Sequence, residues 1–458
     1  MINVAKMFKF IKRHYWYLLC VACVLSVAFF IRFHNLFSYN SFWADDGGAH
    51  VAYVEKLINF HSLPNLQETY LAWHEPLYYV MTAFWGFGAK LFGFYSLNFL
   101  ESFNILVYLF FLILVWIFTY LYSEKNKWLA LLNLFIFSFI FVGVKLSAYI
   151  NDEVLAHSFI FLLLILFWKF DLFQARETKK LFHWSLILAF AILIKMSVLI
   201  LLLAALCFWG IKFLQTKNKN FIKFIFLSSF IVCILILPWF IYKKQTYHTY
   251  STLNIYNNKP AQNILTSDAW LYFFSINKHA FIDYPYWFSQ PQSYFVILFS
   301  DTFGDYYNLF NNVVNLENST DQGKILVGNG RYTTTELFQT MLNINRWSLF
   351  IVAIIFFGFI NFIYKIFQNK KIKDSDLFLC IFLFGGWSAL LIYNLRLPYL
   401  EMGVLKAYYI FFTYPILALL AYKQLWQLIP KKIIWFILAF LPWLLYIVIA
   451  WRIFLVDF

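Results

Sequence analysis

The residues best suited to chemistry are concentrated in one polar stretch, residues 42–79, which directly follows an apolar run long enough to cross a membrane. Carboxylates in such a position can accept a proton from a hydroxyl group, and histidines can transfer protons. The stretch ends in a Pro-Leu-Tyr-Tyr corner that begins at Pro76. Its ionisable side chains include Asp45, Asp46, His50, His61, His74 and Glu75. We therefore expect this stretch to form half of an active site at the membrane surface.

The two adjacent aspartates stand at the membrane edge, where loss of water makes a carboxylate a better base. The sequence predicts a helix over residues 47–60, on which His50 lies about one turn after Asp46 and shares its face. One of the two acids could instead cap this helix by accepting hydrogen bonds from its free amide groups. We therefore predict that one of Asp45 and Asp46 is catalytic and that the other is a helix cap.

Two further pairs of ionisable residues each have a functional and a structural interpretation. His74 and Glu75 precede Pro76, so they could bind a metal or a phosphate, or simply stand outside a helix that the proline begins. Asp152 and Glu153 lie in a short acidic segment between two apolar runs, where they could position an acceptor or cap a helix. Both groups are predicted to lie on the same side of the membrane as the first loop.

Three cations complete the candidate site. Lys195 lies in the middle of the apolar segment 183–214, where an ionisable group is costly and either faces a cavity or snorkels to the interface. Arg396 and Lys406 flank a short outer segment and have the same two interpretations. Acids and cations that converge on one face suit activation of a hydroxyl nucleophile and departure of a phosphate.

The composition excludes a soluble protein. Of the 458 residues, 62% are hydrophobic and only 13% are charged, so the chain is predicted to be an all-α polytopic membrane protein. The net charge of +14 fits positively charged cytoplasmic loops and does not indicate nucleic acid. All five cysteines fall in apolar runs, which argues against a disulfide framework.

Apolar runs and basic clusters together predict about eleven spans, with the N-terminus in the cytoplasm and the acidic loops outside. The segment 183–214 is too long for one span and is predicted to turn near Lys195. A helix within residues 76–93 is predicted to lie in the outer leaflet. The other predicted spans are 15–34, 97–121, 128–146, 154–172, 221–241, 347–367, 376–395, 407–425 and 433–451.

The spans divide the chain into three parts. Residues 1–241 form an N-terminal transmembrane module that carries the catalytic external loops 35–96 and 145–154. Residues 242–346 are predicted to form an external loop or small subdomain, and residues 347–458 the C-terminal transmembrane helices. The Phe-, Ile-, Lys- and Asn-rich usage is typical of an AT-rich genome, so we expect a bacterial plasma membrane.

The motifs of the first loop resemble those of the GT-C membrane glycosyltransferases. The similarity is greatest to the protein-O-mannosyltransferase-like branch, which is glycosyltransferase family 39 with its bacterial relatives, including aminoarabinose transferases. The matching positions are Trp43, Asp45, Asp46, His50, Leu63, Pro64, His74, Pro76, Leu77, Tyr78 and Tyr79. Asp46 replaces a glutamate of the family, and Glu75 replaces its first proline. Asp152, Lys195 and Lys406 match later motifs, with Tyr408 in place of an arginine.

This resemblance implies a GT-C-like helical bundle and a monosaccharide donor on a polyprenyl phosphate. It also implies inverting transfer on the external face to a hydroxyl of a glycan, lipid or protein, with Asp45 as the base. No cofactor is certain, and a divalent metal stays open because metal use varies across the superfamily. Two alternatives are a transporter or flippase of lipid-linked sugars and a glycan polymerase or ligase. A transporter would require inverted repeats, and the sequence has none.

Overall fold

The computed structural model describes residues 4–38, 46–248, 294–303, 324–327, 331–368, 372–396 and 407–455. These residues are predominantly helical, apart from an antiparallel hairpin in which β1 (Lys324–Val327) pairs with β2 (Arg331–Thr334). The first ten helices are α1 (Val4–Ser38), α2 (Gly47–Phe60), α3 (Leu77–Leu91), α4 (Leu97–Tyr122), α5 (Lys127–Phe139), α6 (Phe141–Leu146), α7 (Glu153–Lys169), α8 (Thr178–Ile192), α9 (Leu199–Thr216) and α10 (Lys219–Tyr247).

The later helices are α11 (Tyr294–Phe303), α12 (Thr335–Gln368), α13 (Asp374–Arg396), α14 (Tyr414–Leu428) and α15 (Lys432–Phe454). Short 3₁₀ helices cover Leu172–Gln174, Met196–Val198 and Ala407–Thr413. The predicted helical membrane architecture is therefore confirmed. The predicted loop 242–346 is shorter at both ends, because α10 continues to Tyr247 and α12 begins at Thr335.

Seven helices in the described part of the chain are long and apolar enough to cross a membrane. Four other predicted spans fall on α5, α7, α8 and α14, which have 13, 17, 15 and 15 residues. A helix that crosses a bilayer needs about 20 residues, so the predicted count of eleven is not confirmed. The seven spanning segments are Tyr15–Ser38, Leu97–Tyr122, Met196–Thr216, Lys219–Tyr247, Leu342–Gln368, Asp374–Tyr393 and Lys432–Trp451.

The prediction of one continuous helix over residues 128–146 is wrong. The backbone is extended between α5 and α6. In an unbroken helix, the amide of Phe141 would donate to the carbonyl of Phe137. Instead, the Tyr108 hydroxyl donates to the Phe137 carbonyl at 2.7 Å, and the Phe141 amide donates to the Tyr446 hydroxyl at 3.3 Å. Two tyrosines from distant helices therefore satisfy the backbone groups that the break releases.

Helix α7 lies in the core, and beyond its polar first turns it is apolar on all faces, as expected of a helix surrounded by others. Ile160, Phe161, Leu163 and Leu164 are at most 2% exposed. Helix α4 packs against α7, α5 and α1. This packing fixes the N-terminus of α7, and with it the acidic segment at residues 151–153, in the interior of the bundle.

Three local predictions around the first loop are confirmed. Helix α2 covers residues 47–60 as expected, and α3 lies within residues 76–93. Helix α8 ends at Ile192 and α9 begins at Leu199, so the apolar segment 183–214 turns around Lys195. The acidic segment, the first loop and this turn are the three parts of the chain that carry the candidate site.

Candidate active site

Two sets of hydrogen bonds fasten the Pro-Leu-Tyr-Tyr corner to the rest of the site. The Leu77 amide donates to the Leu193 carbonyl at 3.1 Å, which joins the corner to the turn that carries Lys195. The Tyr78 hydroxyl donates to the Asn104 side-chain oxygen at 2.8 Å. The Asn104 amide in turn donates to the Tyr149 carbonyl at 2.6 Å, just before α7. Segments distant in sequence are therefore held together next to His74.

These segments bring eight ionisable or polar side chains into one continuous line of contacts, which we call the polar chain. It starts at the N-terminus of α2, crosses the corner and the turn before α9, and ends inside α7. Its members, in the order of their contacts, are Asp46, His50, Tyr79, His74, Asp152, Lys195, Glu153 and His157. Six of the nine site residues predicted from the sequence are therefore brought together.

Among the described residues, Lys195 is the only lysine or arginine of the polar chain. The other basic members of the polar chain are histidines. Its Nζ lies 2.6 Å from Asp152 Oδ1 and 2.9 Å from Glu153 Oε1. Burial alone would lower the pKa of the Lys195 ammonium, but the two carboxylates raise it well above its usual range. The side chain is 15% exposed, whereas the two acids are at most 2% exposed. Lys195 is thus held charged and remains partly exposed.

Asp152 joins this cation to the histidines. Its second oxygen, Oδ2, lies 3.3 Å from His74 Nδ1. Burial opposes ionisation of Asp152, yet the neighbouring Lys195 and His74 bring its pKa below the ordinary range. Asp152 is therefore ionised at neutral pH and holds two basic side chains in fixed positions.

The other half of the polar chain runs from His74 to Asp46. The Tyr79 hydroxyl lies 3.4 Å from His74 Nδ1 and 2.8 Å from His50 Nδ1, so it can hydrogen bond with either ring. His50 Nε2 lies 3.7 Å from Asp46 Oδ2. Asp46 occupies the N-cap position of α2, but its side chain accepts no capping hydrogen bond. The carboxylate faces His50 instead of capping the helix.

Two members of the polar chain were not among the residues predicted from sequence. Tyr79 was part of the recognised corner, but nothing in the sequence indicated that it bridges two histidines. His157 follows Glu153 by one turn of α7, and this spacing is the signal that could have found it. Its Nε2 lies 3.6 Å from Glu153 Oε2, and the ring packs against Phe411 and Phe412.

The remaining predicted residues cannot be placed against the polar chain. Asp45 and Lys406 lie outside the described residues. Arg396 is the last residue of α13, and its side chain is also outside the description. The described ranges contain no group of three or more His, Cys, Asp or Glu side chains arranged to hold a metal ion. The polar chain itself consists of carboxylates, histidines, a tyrosine and a lysine, side chains that can take part in acid–base chemistry.

Comparison with known proteins places this site in a family. A sequence model described as dolichyl-phosphate-mannose-protein mannosyltransferase matches residues 22–254, which is just over half of the chain and includes every member of the polar chain. No curated protein sequence matches the chain.

Two solved structures align with the chain at 14% sequence identity. One is the Archaeoglobus fulgidus oligosaccharyltransferase tethered to an acceptor peptide, with a TM-score of 0.49, 97% of this chain covered and 55% of that one. The other is the oligosaccharyltransferase AglB of the same organism with an inhibitory peptide and a dolichol-phosphate, with a TM-score of 0.48 and coverage of 95% and 56%. The chain thus spans slightly more than half the length of these proteins. On the extent of the sequence match, the chain belongs to the dolichyl-phosphate-mannose-protein mannosyltransferase family.

Proposed function

We propose that this protein is an integral-membrane glycosyltransferase that moves a monosaccharide from a polyprenyl-phosphate donor to a hydroxyl acceptor. The observation that carries the proposal is the charged, 15% exposed Lys195, held at 2.6 and 2.9 Å by two buried carboxylates within the segment that the family model matches. A fixed ammonium of this kind suits a phosphate leaving group, because it stabilises charge that develops as the phosphate departs.

In the proposed reaction, a carboxylate removes the proton of the acceptor hydroxyl as its oxygen attacks the anomeric carbon. A bond forms between that oxygen and the anomeric carbon, and the bond from the anomeric carbon to the phosphate oxygen breaks. The polyprenyl phosphate leaves with the electron pair, so it needs a cation more than it needs a proton. Asp45 is the first choice as base and Asp46 the second, and a single displacement inverts the anomeric configuration.

The other members of the polar chain support these steps. Lys195 provides the phosphate contact, and its ammonium has three N–H groups, of which Asp152 accepts one. Lys406 or Arg396 would add a second cation. His50 orients Asp46, while His74, which Asp152 holds in place, would contact the substrate. Glu153 keeps Lys195 charged and close to the donor phosphate.

Helix α3 suits a role in guiding the lipid donor. Phe84, Leu91 and Phe92 are between 75% and 78% exposed, so this helix and the residue after it present a large apolar face. Exposed apolar patches of this kind mark contacts with membranes or ligands. We place this face in the outer leaflet of a bacterial plasma membrane, with the active site external and the N-terminus cytoplasmic.

The proposal is tested with purified protein in detergent and a panel of polyprenyl-phosphate monosaccharides. Release of free polyprenyl phosphate that depends on an added glycan, lipid or peptide acceptor is expected for at least one sugar. A transporter or flippase requires a sealed membrane and breaks no glycosidic bond, so it would release none. Absence of release with every sugar, while the protein stays folded and binds the donors, would contradict transferase activity.

A further inference from the structure

A second group of buried polar atoms lies beside the polar chain. None of these atoms has a hydrogen-bond partner within the described part of the chain, and their side chains are at most 7% exposed. Such atoms are rare in folded proteins, because a buried donor or acceptor left without a partner has lost its hydrogen bonds to water and gained none in return. They are the Tyr53 hydroxyl, the Trp73 indole N–H, Glu75 Oε1, the Trp239 indole N–H and Lys243 Nζ.

The sequence of α10 explains why two of these five side chains lie on one helix face. Trp239, Lys243 and Tyr247 are spaced by four residues, so they form one stripe along the last turns of the helix. All three are buried, whereas the neighbouring Lys244 is exposed. The Tyr247 hydroxyl donates to the Pro64 carbonyl at 3.0 Å, which fixes the stripe against the first loop. The first loop provides the residues that contact this stripe, Trp73 and Glu75.

The charges in the group attract each other without a hydrogen bond. Lys243 Nζ lies 3.9 Å from Glu75 Oε1, and the rings of Trp73, Trp239 and Phe240 surround the ammonium at 5.3–5.9 Å. A simple anion would be repelled by Glu75, and a simple cation would be repelled by Lys243. The group therefore favours a neutral ligand that both donates and accepts hydrogen bonds and has an apolar face.

We propose that this group is the subsite for the sugar ring of the lipid-linked donor, an inference that rests on the proposed function. Neighbouring sugar hydroxyls can donate to Glu75 and accept from Lys243 and the indole N–H groups. The C–H face of a sugar ring can pack against an indole ring, as apolar groups pack on aromatic surfaces.

The position of the subsite fits this assignment. The Tyr53 ring stacks on Tyr79 with centroids 3.8 Å apart, and Trp73 packs edge to face on His74 at 4.5 Å. The subsite and the polar chain therefore share a wall formed by Tyr79 and His74. A donor whose phosphate contacts Lys195 can place its sugar on the other side of this wall.

The test compares the binding of two probes to the purified full-length protein. One is farnesyl phosphate, and the other is farnesyl phosphate carrying mannose, glucose, galactose or a pentose, whichever binds most tightly. The double variant Glu75→Gln/Lys243→Met removes one charge of each sign, so neither partner is left as an isolated buried charge. We expect it to weaken binding of the sugar-bearing probe roughly 10- to 100-fold, as loss of charged hydrogen bonds implies. Binding of farnesyl phosphate alone should not change.

Two further variants make the result specific. Lys244→Met removes the adjacent, exposed lysine of the same helix and should leave both probes unaffected. Trp239→Phe keeps an aromatic ring but removes one N–H donor, and we expect about a 2- to 10-fold loss for the sugar-bearing probe alone. If the double variant and Trp239→Phe bind both probes as the unchanged protein does, the subsite assignment is wrong. Because binding is measured without turnover, this outcome is separate from failure of the transferase reaction.

Discussion

Turnover is expected to fall by at least two orders of magnitude when Asp45 is replaced by asparagine. A general base typically contributes about 10²–10⁴-fold to rate, and asparagine keeps the size of the side chain but cannot accept the proton. Donor binding should change little, because Lys195 is proposed to hold the phosphate. The measurement is the rate of polyprenyl-phosphate release, with donor affinity determined separately on the same preparation.

Asp46→Asn is the matched control for this prediction and should cost less in rate. The Asp46 carboxylate makes no capping hydrogen bond, so the substitution should also cost little helix stability. What it loses is the contact with His50 at 3.7 Å. If Asp46→Asn is inactive and Asp45→Asn is active, Asp46 is the base and Asp45 is not. Near-normal turnover in both variants would show that neither aspartate of the first loop takes part in the reaction.

Lys195→Met is expected to weaken the affinity for polyprenyl phosphate, with or without a sugar, by roughly 10- to 100-fold. The substitution also leaves Asp152 and Glu153 buried without a cation, and breaking a buried pair in this way typically costs about 3–5 kcal/mol in the free energy of unfolding. Affinity and the thermal unfolding midpoint are therefore measured together. The double variant Lys195→Met/Asp152→Asn removes one charge of each sign and should recover part of the stability, because only Glu153 then stays buried without its cation, while its affinity stays low.

Lys212→Met provides the comparison, on the helix that follows the turn carrying Lys195. Lys212 Nζ forms an ion pair with Asp374 at 2.9 Å, near the opposite end of α9 from Lys195. Its loss should lower stability without changing affinity for the lipid phosphate. If the stabilised double variant binds polyprenyl phosphate normally, Lys195 only balances the buried acids, and another cation must hold the phosphate.

Much of the candidate site could be predicted because its charged residues interrupt apolar sequence. Lys195 interrupts an apolar segment too long for one span, and a turn at this lysine is the arrangement that lets its charge reach a partner. Asp152 and Glu153 interrupt two apolar runs in the same way. The boundaries of α2 followed from the change from a polar loop to a helical pattern after Asp46. Local sequence was sufficient for these features.

Contacts between distant segments could not be predicted in this way. The break between α5 and α6 has no proline, and it depends on hydroxyl groups of Tyr108 and Tyr446 that come from other helices. The pairing of Glu75 with Lys243 likewise depends on how α10 packs against the first loop. The sequence predicts Lys243 to lie in the loop 242–346, because its four-residue spacing from Trp239 and Tyr247 indicates a shared face only once the helix is known to continue to Tyr247.

Direct displacement by a hydroxyl, with a carboxylate as base, is tested most directly by the anomeric configuration of the product. Purified protein is incubated with the donor sugar that supports release and with its acceptor, and the product is analysed by NMR while free polyprenyl phosphate is quantified. A single displacement predicts complete inversion relative to the donor, with one polyprenyl phosphate released for each sugar transferred. A product of retained configuration would indicate a covalent glycosyl-enzyme intermediate and two displacements, and would contradict the role proposed for Asp45 and Asp46.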